Sequence, residues 1–282
     1  MIIFKQKKDL SKALLNLKAQ GKTIGFIPTM GALHEGHLSL IKVSKSEGNI
    51  TVASIFINPT QFNDKKDFEK YPITIEKDIY LLEQSGTDIL FLPSVNDMYP
   101  EGLQPVSSYA LGFLETTLEG YYRPGHFQGV CRIVHKFLKI VAPRHLYMGQ
   151  KDYQQCMVIQ KLINDFALPV TLNIVETRRE ESGLAMSSRN LRLSQEAKPK
   201  AAAIYKAHLF VKYNLLKLPL QELQTQAEAI ITSAGFEKTD YVAICDAVSL
   251  TPLTVYDDQS KLVILSAAYL EGVRLIDNLL LN

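Results

Sequence analysis

The chain has 282 residues, of which 46% are hydrophobic and 21% are charged, and its formal net charge is only +2. This length suits about two domains with separate cores, and the composition is that of an ordinary globular protein. The near balance of charge gives no electrostatic reason to expect a nucleic acid or a membrane as a partner.

Strand-like and helix-like segments alternate through the first 175 residues. The strand-like segments are short and apolar, and the helix-like segments repeat apolar residues at intervals of three and four. The predicted strands cover 2–4, 23–27, 49–57, 88–92, 145–148 and 170–175, and the predicted helices cover 9–19, 38–46, 74–84, 127–141 and 153–166. This alternation predicts an α/β domain with a doubly wound, Rossmann-like parallel sheet.

The pattern changes after residue 177. Predicted helices at 197–215 and 220–234 are followed by strand-like segments at 241–244, 262–267 and 273–275. Helices followed by clustered strands predict a smaller α+β domain. We place the boundary in the charged stretch 176–183. We therefore expect an α/β domain at 1–177 and a smaller α+β C-terminal domain at 178–282.

The cysteines argue for a reducing environment. Cys131, Cys156 and Cys245 are far apart and form no CxxC pair, so neither a disulfide framework nor a zinc ribbon is expected. The N-terminus has no apolar stretch of signal-peptide length, and no apolar run reaches the roughly 18 residues of a membrane span. We therefore expect a cytoplasmic protein.

The sequence PTMGALHEGHLSL at 28–40 joins a predicted strand to a predicted helix. Backbone N–H groups and the positive end of the helix dipole converge at such a junction, which makes it suitable for an anion. Gly31 and Gly36 let the backbone approach a bulky ligand, and His34 and His37 would lie on one face of the first turn. The spacing is typical of the HxGH signature of nucleotidyl-transferring α/β proteins.

The two histidines also admit a structural role or a metal-binding role. They could be structural residues at a helix start, or they could bind zinc. The zinc hypothesis is the weaker one, because His34 and His37 lack the spacing of the HExxH helix and no cysteine pair lies near them.

Polar residues also follow two further predicted strands, where ligands of open α/β sheets collect. Asn58 and Gln61 carry uncharged donors and acceptors, although for this segment taken alone an ordinary Asn-Pro turn is the simpler account. Lys151 suits a phosphate, Asp152 stands where a helix N-cap would be, and Gln155 follows in the first helical turn. A surface lysine beside a capping aspartate is the alternative.

The segment GLAMSSRN at 183–190 places two hydroxyls before Arg189. Such a loop could close over a triphosphate, or it could be a polar hinge whose arginine makes a surface ion pair. Together with the histidine motif and Lys151 it supplies the groups that attack at an α-phosphate requires.

Five segments carry a family resemblance that extends nearly from end to end of the chain. They are PTMGALHEGHLSL at 28–40, SIFINPTQF at 54–62, EGYYRPGHFQGV at 119–130, GQKDYQQ at 149–155 and GLAMSSRN at 183–190. The five segments occur in the same order in the pantoate–beta-alanine ligase family, which this chain resembles.

The resemblance implies an AMP-forming ligase. The carboxylate of pantoate would attack the α-phosphate of ATP, and the amine of β-alanine would then displace AMP from the pantoyl adenylate. Mg²⁺ would arrive on the phosphates of ATP, with no metal ligand from the protein. The resemblance also implies that the domain at 1–177 binds ATP and pantoate and that the domain at 178–282 is a lid. It further implies a homodimer, with no nucleic acid or membrane partner.

The resemblance also implies the site residues. The catalytic set would be His34, His37, Lys151 and Arg189. The ATP-binding set would be Met30, Gly31, Ala32, Leu33, His34, Glu35, Gly36, His37, Gly149, Gln150, Lys151, Asp152, Arg178, Met186, Ser187, Ser188 and Arg189. Pantoate and β-alanine would be bound by Asn58, Gln61 and Gln155.

The chain departs from the family pattern at a few positions. Ile73 stands where the family commonly has Arg, Gln150 where it often has Glu, Met148 where it has Phe, and Ser182 where an Asp usually precedes Gly183. None of these positions is among the predicted catalytic residues, so we still expect activity.

The charged, aperiodic segment 62–72 follows Gln61 directly, so it is a candidate lid that would protect an acyl adenylate from water. A passive surface loop is the alternative.

Two other functions compete with the ligase. A nucleotidyltransferase with a phosphorylated acceptor would need more cations than Asn58, Gln61 and Gln155 provide. A non-catalytic nucleotide-binding regulator would tend to lack part of the cationic set.

Overall fold

The computed structural model describes residues 1–63, 68–104 and 108–282. Its strands are β1 (Ile2–Phe4), β2 (Ile24–Thr29), β3 (Ile50–Ile55), β4 (Ile89–Phe91), β5 (His145–Gly149), β6 (Thr171–Val175), β7 (Lys238–Asp246), β8 (Leu262–Leu270) and β9 (Val273–Leu280). Its helices are α1 (Lys7–Ala19), α2 (Glu35–Ser46), α3 (Ile75–Gln84), α4 (Val95–Met98), α5 (Phe113–Thr116), α6 (Leu118–Tyr122), α7 (His126–Val141), α8 (Tyr153–Asp165), α9 (Ala197–Ala201), α10 (Ala203–Asn214) and α11 (Leu220–Ser233). Short 3₁₀ turns lie at Pro59–Gln61, Gln150–Asp152 and Ser188–Arg192.

The chain forms two compact units. The first comprises Met1–Gly149 and Val158–Val175, and the second comprises Gln150–Met157 and Glu176–Asn282. Helix α8 therefore begins in the second unit and ends in the first. Within the described ranges, no helix combines the length and the apolar character that crossing a bilayer requires.

The first unit is built on a six-stranded parallel sheet in the order β1-β4-β3-β2-β5-β6. Strand β2 lies near its centre, with Phe26 paired to Val52 of β3 and to Leu146 of β5. The sheet grows from β2 in one direction through β3 and in the other through β5, so the carboxyl end of β2 is the topological switch point. The motif at 28–40 therefore begins where ligands bind in open α/β sheets.

Aliphatic side chains form the hydrophobic core beside this switch point. Ile27, Ala53 and Leu90 from the strands pack with Ile41 of α2 and Leu82 of α3, and all five are almost fully buried. A strand with helices on both faces is buried at nearly every position, and this holds for β2 and for β3, where Thr51 and Ser54 are buried among apolar residues.

The second unit contains an antiparallel three-stranded sheet in the order β7-β8-β9. Alanines let its helices pack closely on this sheet. Ala201, Ala203 and Ala207 lie in the same core as Ile264 of β8 and Leu275 of β9. Arg274 of β9 and Lys238 of β7 hold the carboxylate of Asp240, which also belongs to β7, at 2.8 and 2.7 Å.

The structure confirms the predicted fold class, an α/β parallel sheet with a smaller α+β part. Several element boundaries differ from the prediction. Helix α2 begins at Glu35, three residues before the predicted start, because His34 caps it. The single helix predicted at 197–215 is two helices that meet at Ala202. Strand β9 extends to Leu280, well beyond the predicted end at residue 275.

Candidate active site

His34 and His37 form a reciprocal cap at the start of α2. The Nδ1 atom of His34 accepts from the N–H of Gly36 at 3.1 Å, and the Nδ1 atom of His37 accepts from the N–H of His34 at 3.4 Å. Their ring centroids are 4.2 Å apart. Because each Nδ1 acts as an acceptor, a neutral ring carries its proton on Nε2, which makes Nε2 the donor toward a ligand. Backbone contacts thus set the tautomer of both imidazoles.

The loop before this helix is held by a buried carboxylate that the sequence did not reveal as important. Gly31 and Ala32 have positive φ values of 81° and 50°, and the N–H groups of Ala32 and Leu33 donate to Asp78 at 2.9 and 2.8 Å. The hydroxyl of Thr74 also donates to Asp78, which is fully buried. Two backbone N–H groups in the region that the sequence assigned to an anionic ligand are therefore taken by Asp78.

Asp78 left one signal in the sequence, namely an acidic residue on the apolar face of a predicted helix, four positions before buried Leu82.

Glu35, which the sequence placed in the ATP-binding set, has an exposed side chain 3.3 Å from that of Lys42.

Gln61 belongs to the same unit as the histidines and contacts their loop. Its Nε2 donates to the sulfur of Met30 at 3.0 Å, and its Oε1 accepts from Nδ2 of Asn58 at 3.0 Å. The structure therefore brings together the motif loop and one predicted substrate residue.

Asn58 itself is only 1% exposed, and protein groups engage both ends of its amide. Its Nδ2 also donates to the carbonyl of Gly129, and its Oδ1 accepts from the hydroxyls of Tyr99 at 2.7 Å and Thr60 at 3.1 Å. Burial raises the pKa of Tyr99, so this hydroxyl stays protonated and donates. The geometry of Asn58 suits orientation of Gln61 better than direct contact with a substrate, because its hydrogen-bonding groups are directed into the protein.

His126 and Arg123 also support Gln61, although the sequence analysis used them only to identify the family. The Nδ1 of His126 lies 2.8 Å from the carbonyl oxygen of Gln61, to which it donates, and its Nε2 lies 3.2 Å from the guanidinium of Arg123. Glu119 is 3.8 Å from the same guanidinium. The segment EGYYRPGHFQGV thus supports the turn that carries Gln61.

The second unit contains the turn with Lys151. Its side chain is 18% exposed, and its Nζ is 3.8 Å from the carboxylate of Asp152. Gln150 Nε2 donates to Asn278 at 3.1 Å. Gln155 is half-buried in the first turn of α8, whereas Gly149 is the last residue of β5 in the first unit.

The segment 178–190 is a closed hairpin-like turn in the second unit. The N–H of Met186 donates to the carbonyl of Arg178 at 2.9 Å, and Ser187 caps the following 3₁₀ turn by accepting from the N–H of Arg189. Ser182, one of the departures from the family pattern, accepts from the N–H of Leu184 at 3.3 Å. Ser187, Ser188 and Arg189 are each half-buried.

The candidate lid lies partly outside the described residues, which omit 64–67. At its two ends, the ring of Phe62 packs edge-on against Phe68 and Tyr71, with centroids 5.2 and 5.8 Å apart. Ile73 is 72% exposed.

The thiols of Cys131, Cys156 and Cys245 are buried, and none of the three is in a disulfide. Burial raises the pKa of Cys131 and of Cys245 to about 12 and also raises that of Cys156, so all three are protonated at neutral pH.

Over the three described ranges, no group of three or more His, Cys, Asp or Glu side chains could hold a metal ion.

Comparison with known proteins agrees with this geometry. The profile of the family described as Pantoate-beta-alanine ligase matches residues 2–280. Pantothenate synthetase from Cytophaga hutchinsonii is 44% identical, with 100% of this chain and 99% of the relative covered. Pantothenate synthetase from Aquifex aeolicus is 41% identical, with 98% of each chain covered.

Solved structures agree as well. Pantothenate synthetase from Thermus thermophilus superposes with a TM-score of 0.93 at 37% identity, covering 100% of this chain and 99% of the other. Pantoate-beta-alanine ligase from Francisella tularensis, described as a complex with beta-gamma ATP and beta-alanine, has a TM-score of 0.82 at 38% identity and covers 100% and 98%. The chain belongs to the pantoate–beta-alanine ligase family of enzymes.

Proposed function

We propose that this chain joins (R)-pantoate to β-alanine in two steps with ATP as the activating substrate. A carboxylate oxygen of pantoate forms a bond to the α-phosphorus, and pyrophosphate leaves with the electron pair of the broken P–O bond. The amine of β-alanine then forms a bond to the acyl carbon and loses a proton, and AMP leaves. The products are pantothenate, AMP and pyrophosphate.

The contact between Gln61 and Met30 is the observation that carries this proposal. It joins an amide, oriented by buried Asn58, to the loop that delivers two imidazole donors. An uncharged amide suits the hydroxyl and carboxylate oxygens of pantoate, and an acceptor phosphate would call for cations at that point. The Francisella relative, described as a complex with beta-gamma ATP and beta-alanine, supports ATP and β-alanine as two of the substrates.

The proposed hydrogen-bond donors and Lys151 stabilise the negative charge on the phosphates of ATP. Pantoate is already ionised at neutral pH and needs no base, so the protein has mainly to position the substrates and stabilise charge. We propose that the Nε2–H groups of His34 and His37 donate to phosphate oxygens and that Lys151 neutralises charge at the α-phosphate. Mg²⁺ enters as the ATP complex, where it offsets the charge of the departing pyrophosphate.

The other assignments also remain proposals. The domain division at residue 177, the pantoate contact of Gln155 and the nucleotide contacts of Gly149, Arg178 and 186–189 belong to this group. So do the cytoplasmic location and the homodimer. Light scattering gives the mass of the assembly, and a monomeric mass would contradict the dimer.

Isotope exchange tests the reaction. Labelled pyrophosphate is incubated with the protein and ATP, with or without pantoate and always without β-alanine. We expect label to enter ATP only when pantoate is present. Pantoyl adenylate must form first, and labelled pyrophosphate then converts it back to ATP and pantoate. Absence of exchange while ATP still binds would overturn the proposal in favour of another acceptor or a regulator.

Replacement of Lys151 tests its role. We expect Lys151→Ala to lower the single-turnover adenylation rate by roughly 100-fold or more, because one preorganised electrostatic contact to the transition state is lost. Binding of ATP should weaken much less. Lys161→Ala is the matched control, because Lys161 lies in α8 and pairs with Asp165 on the surface. A near-normal rate for Lys151→Ala would contradict the assignment.

A further inference from the structure

Asn278 of β9 is bonded to the backbone of the turn that carries Lys151. Its Nδ2 donates to the carbonyls of Gln150 and Lys151, both at 2.9 Å, and its Oδ1 accepts from the Gln150 side chain at 3.1 Å. The residue is only 1% exposed. Both N–H bonds of one buried amide are therefore directed to two successive peptide groups that are 127 and 128 residues away in the chain.

These two bonds restrict the orientation of the Lys151 side chain. Two fixed carbonyls define the planes of the peptide groups on both sides of Lys151, and these planes determine the direction of its Cα–Cβ bond. A lysine side chain is long and flexible, so the direction in which it leaves the backbone strongly affects where its ammonium group lies.

A buried ion pair holds Asn278 in turn. The carboxylate of the preceding residue, Asp277, accepts the N–H of Asn278 at 2.8 Å and binds the guanidinium of Arg179 at 2.6 and 3.0 Å. Arg179 also donates to the carbonyls of Asn278 and Gly183, and it stacks on the ring of Tyr205 at 3.8 Å. Two consecutive residues of β9 thus connect the Lys151 turn with the segment that leads to Arg189.

We propose that Asn278 is a positioning residue for adenylation, which acts by holding the backbone of Gln150 and Lys151. This inference rests on the proposed function, in which Lys151 acts at the α-phosphate. Asn278 touches neither ATP nor pantoate in this role, and its whole effect on the rate passes through Lys151.

A double-mutant cycle tests the inference. Single-turnover adenylation is measured for the wild type, Asn278→Asp, Lys151→Ala and the double variant. Aspartate has the shape of asparagine but turns a carboxylate oxygen toward two carbonyl oxygens. We expect the rate to fall roughly 10- to 100-fold when Lys151 is present. We expect a change of about threefold or less when Lys151 is already absent. The dissociation constant for ATP should change little.

Asn282→Asp is the matched control. The side chain of Asn282 also makes three hydrogen bonds, to Tyr256, Ser260 and Leu262, and within the described part of the chain it makes none to the Lys151 turn. The rate of this variant should equal that of the wild type.

If Asn278→Asp lowers the adenylation rate by the same factor with and without Lys151, the inference is overturned and the proposed function is left intact. Absence of pantoate-dependent exchange in the wild type would instead overturn the function. If Asn278→Asp does not fold, Asn278→Ala completes the cycle, and loss of the fold in both variants would assign Asn278 to stability alone.

Discussion

At the scale of single residues, the two histidines show how backbone contacts determine chemistry. The Nδ1 atoms of His34 and His37 accept from main-chain N–H groups, so the distal nitrogen is the donor in the neutral state. The helix cap and the proposed phosphate contact therefore use different atoms of one ring, and substitutions can separate them.

Two substitutions of His37 make this separation. In His37→Asn the amide oxygen can replace Nδ1 as the acceptor for the N–H of His34, but no donor reaches the position of Nε2. In His37→Gln the amide oxygen can still accept from the N–H of His34, as glutamine does at this position of a capping box, and the longer side chain can also carry its amide nitrogen to the position of Nε2. We expect His37→Asn to lower the adenylation rate roughly 100-fold or more, and His37→Gln to lower it less. The free energy of unfolding should change by less than about 0.5 kcal/mol in both variants, because each keeps an acceptor for the N–H of His34.

Single-turnover kinetics and urea unfolding of both variants check this prediction. An Asn variant that is faster than the Gln variant would contradict the proposed role of Nε2.

The sequence identified chemical groups better than it identified their supports. His34, Gln61 and Lys151 could be selected because each follows a predicted strand. Asp78 and Asn278 could not, because the backbone groups that their side chains hold lie 45 to 46 and 127 to 128 residues away. A buried polar residue becomes informative only when the fold shows which groups it satisfies.

At the scale of elements, one glycine sets the distance between α7 and the turn that carries Gln61. A Cβ at Gly129 would lie 2.1 Å from the carbonyl oxygen of Thr60 and 2.7 Å from Cα of Gln61. Both obstacles are backbone, so a side chain would force the helix and the turn apart.

Gly129→Ala tests this contact. Alanine in a helix interior normally stabilises a protein by up to ~1 kcal/mol relative to glycine. Here we expect the free energy of unfolding to fall by about 1–3 kcal/mol because of overpacking. We also expect the KM for pantoate to rise roughly tenfold or more, because Gln61 moves.

Lys139→Ala, at an exposed position of the same helix, should change the free energy of unfolding by less than about 0.5 kcal/mol. Urea titration and steady-state kinetics measure both effects. Stabilisation by Gly129→Ala would show that the turn yields and would contradict the prediction.

Elements whose apolar residues repeat at regular intervals could be predicted, and elements without such a repeat could not. Helix α7 buries a regular apolar face, and the prediction of 127–141 is within one residue of the observed His126–Val141. The short helices α4, α5 and α6 were not predicted, since four or five residues show no period. Strand β7 was predicted only at 241–244, because most of its residues are half-buried and show no clear alternation.

At the scale of the whole molecule, alternation of strands and helices was enough to predict a parallel sheet. The order of the strands depends on long-range pairing, such as that of β1 with β4, whose residues are 87 positions apart. No local pattern contains that pairing.

Stability of the molecule should depend on pH through a buried histidine. His208 is fully buried in the second unit, where its Nε2 lies 2.8 Å from the hydroxyl of Ser266. Burial lowers the pKa of His208 to about 4, while Asp277 raises it and Arg179 lowers it further. An unfolded histidine titrates near 6.5. Between these two values the unfolded chain binds the proton and the native protein does not.

The native protein should therefore lose stability as the pH falls from 6.5 toward 4, and His208 should contribute its full stabilisation above 6.5. The pKa difference corresponds to a loss of up to ~3 kcal/mol. Urea unfolding at pH 7.5, 6.0 and 5.0 measures this for the wild type and for His208→Gln, in which the amide can still reach Ser266 without titrating. Burial also lowers the pKa of His135, so the difference between the two proteins isolates His208. Parallel pH profiles for the two proteins would contradict a neutral, buried imidazole at this position.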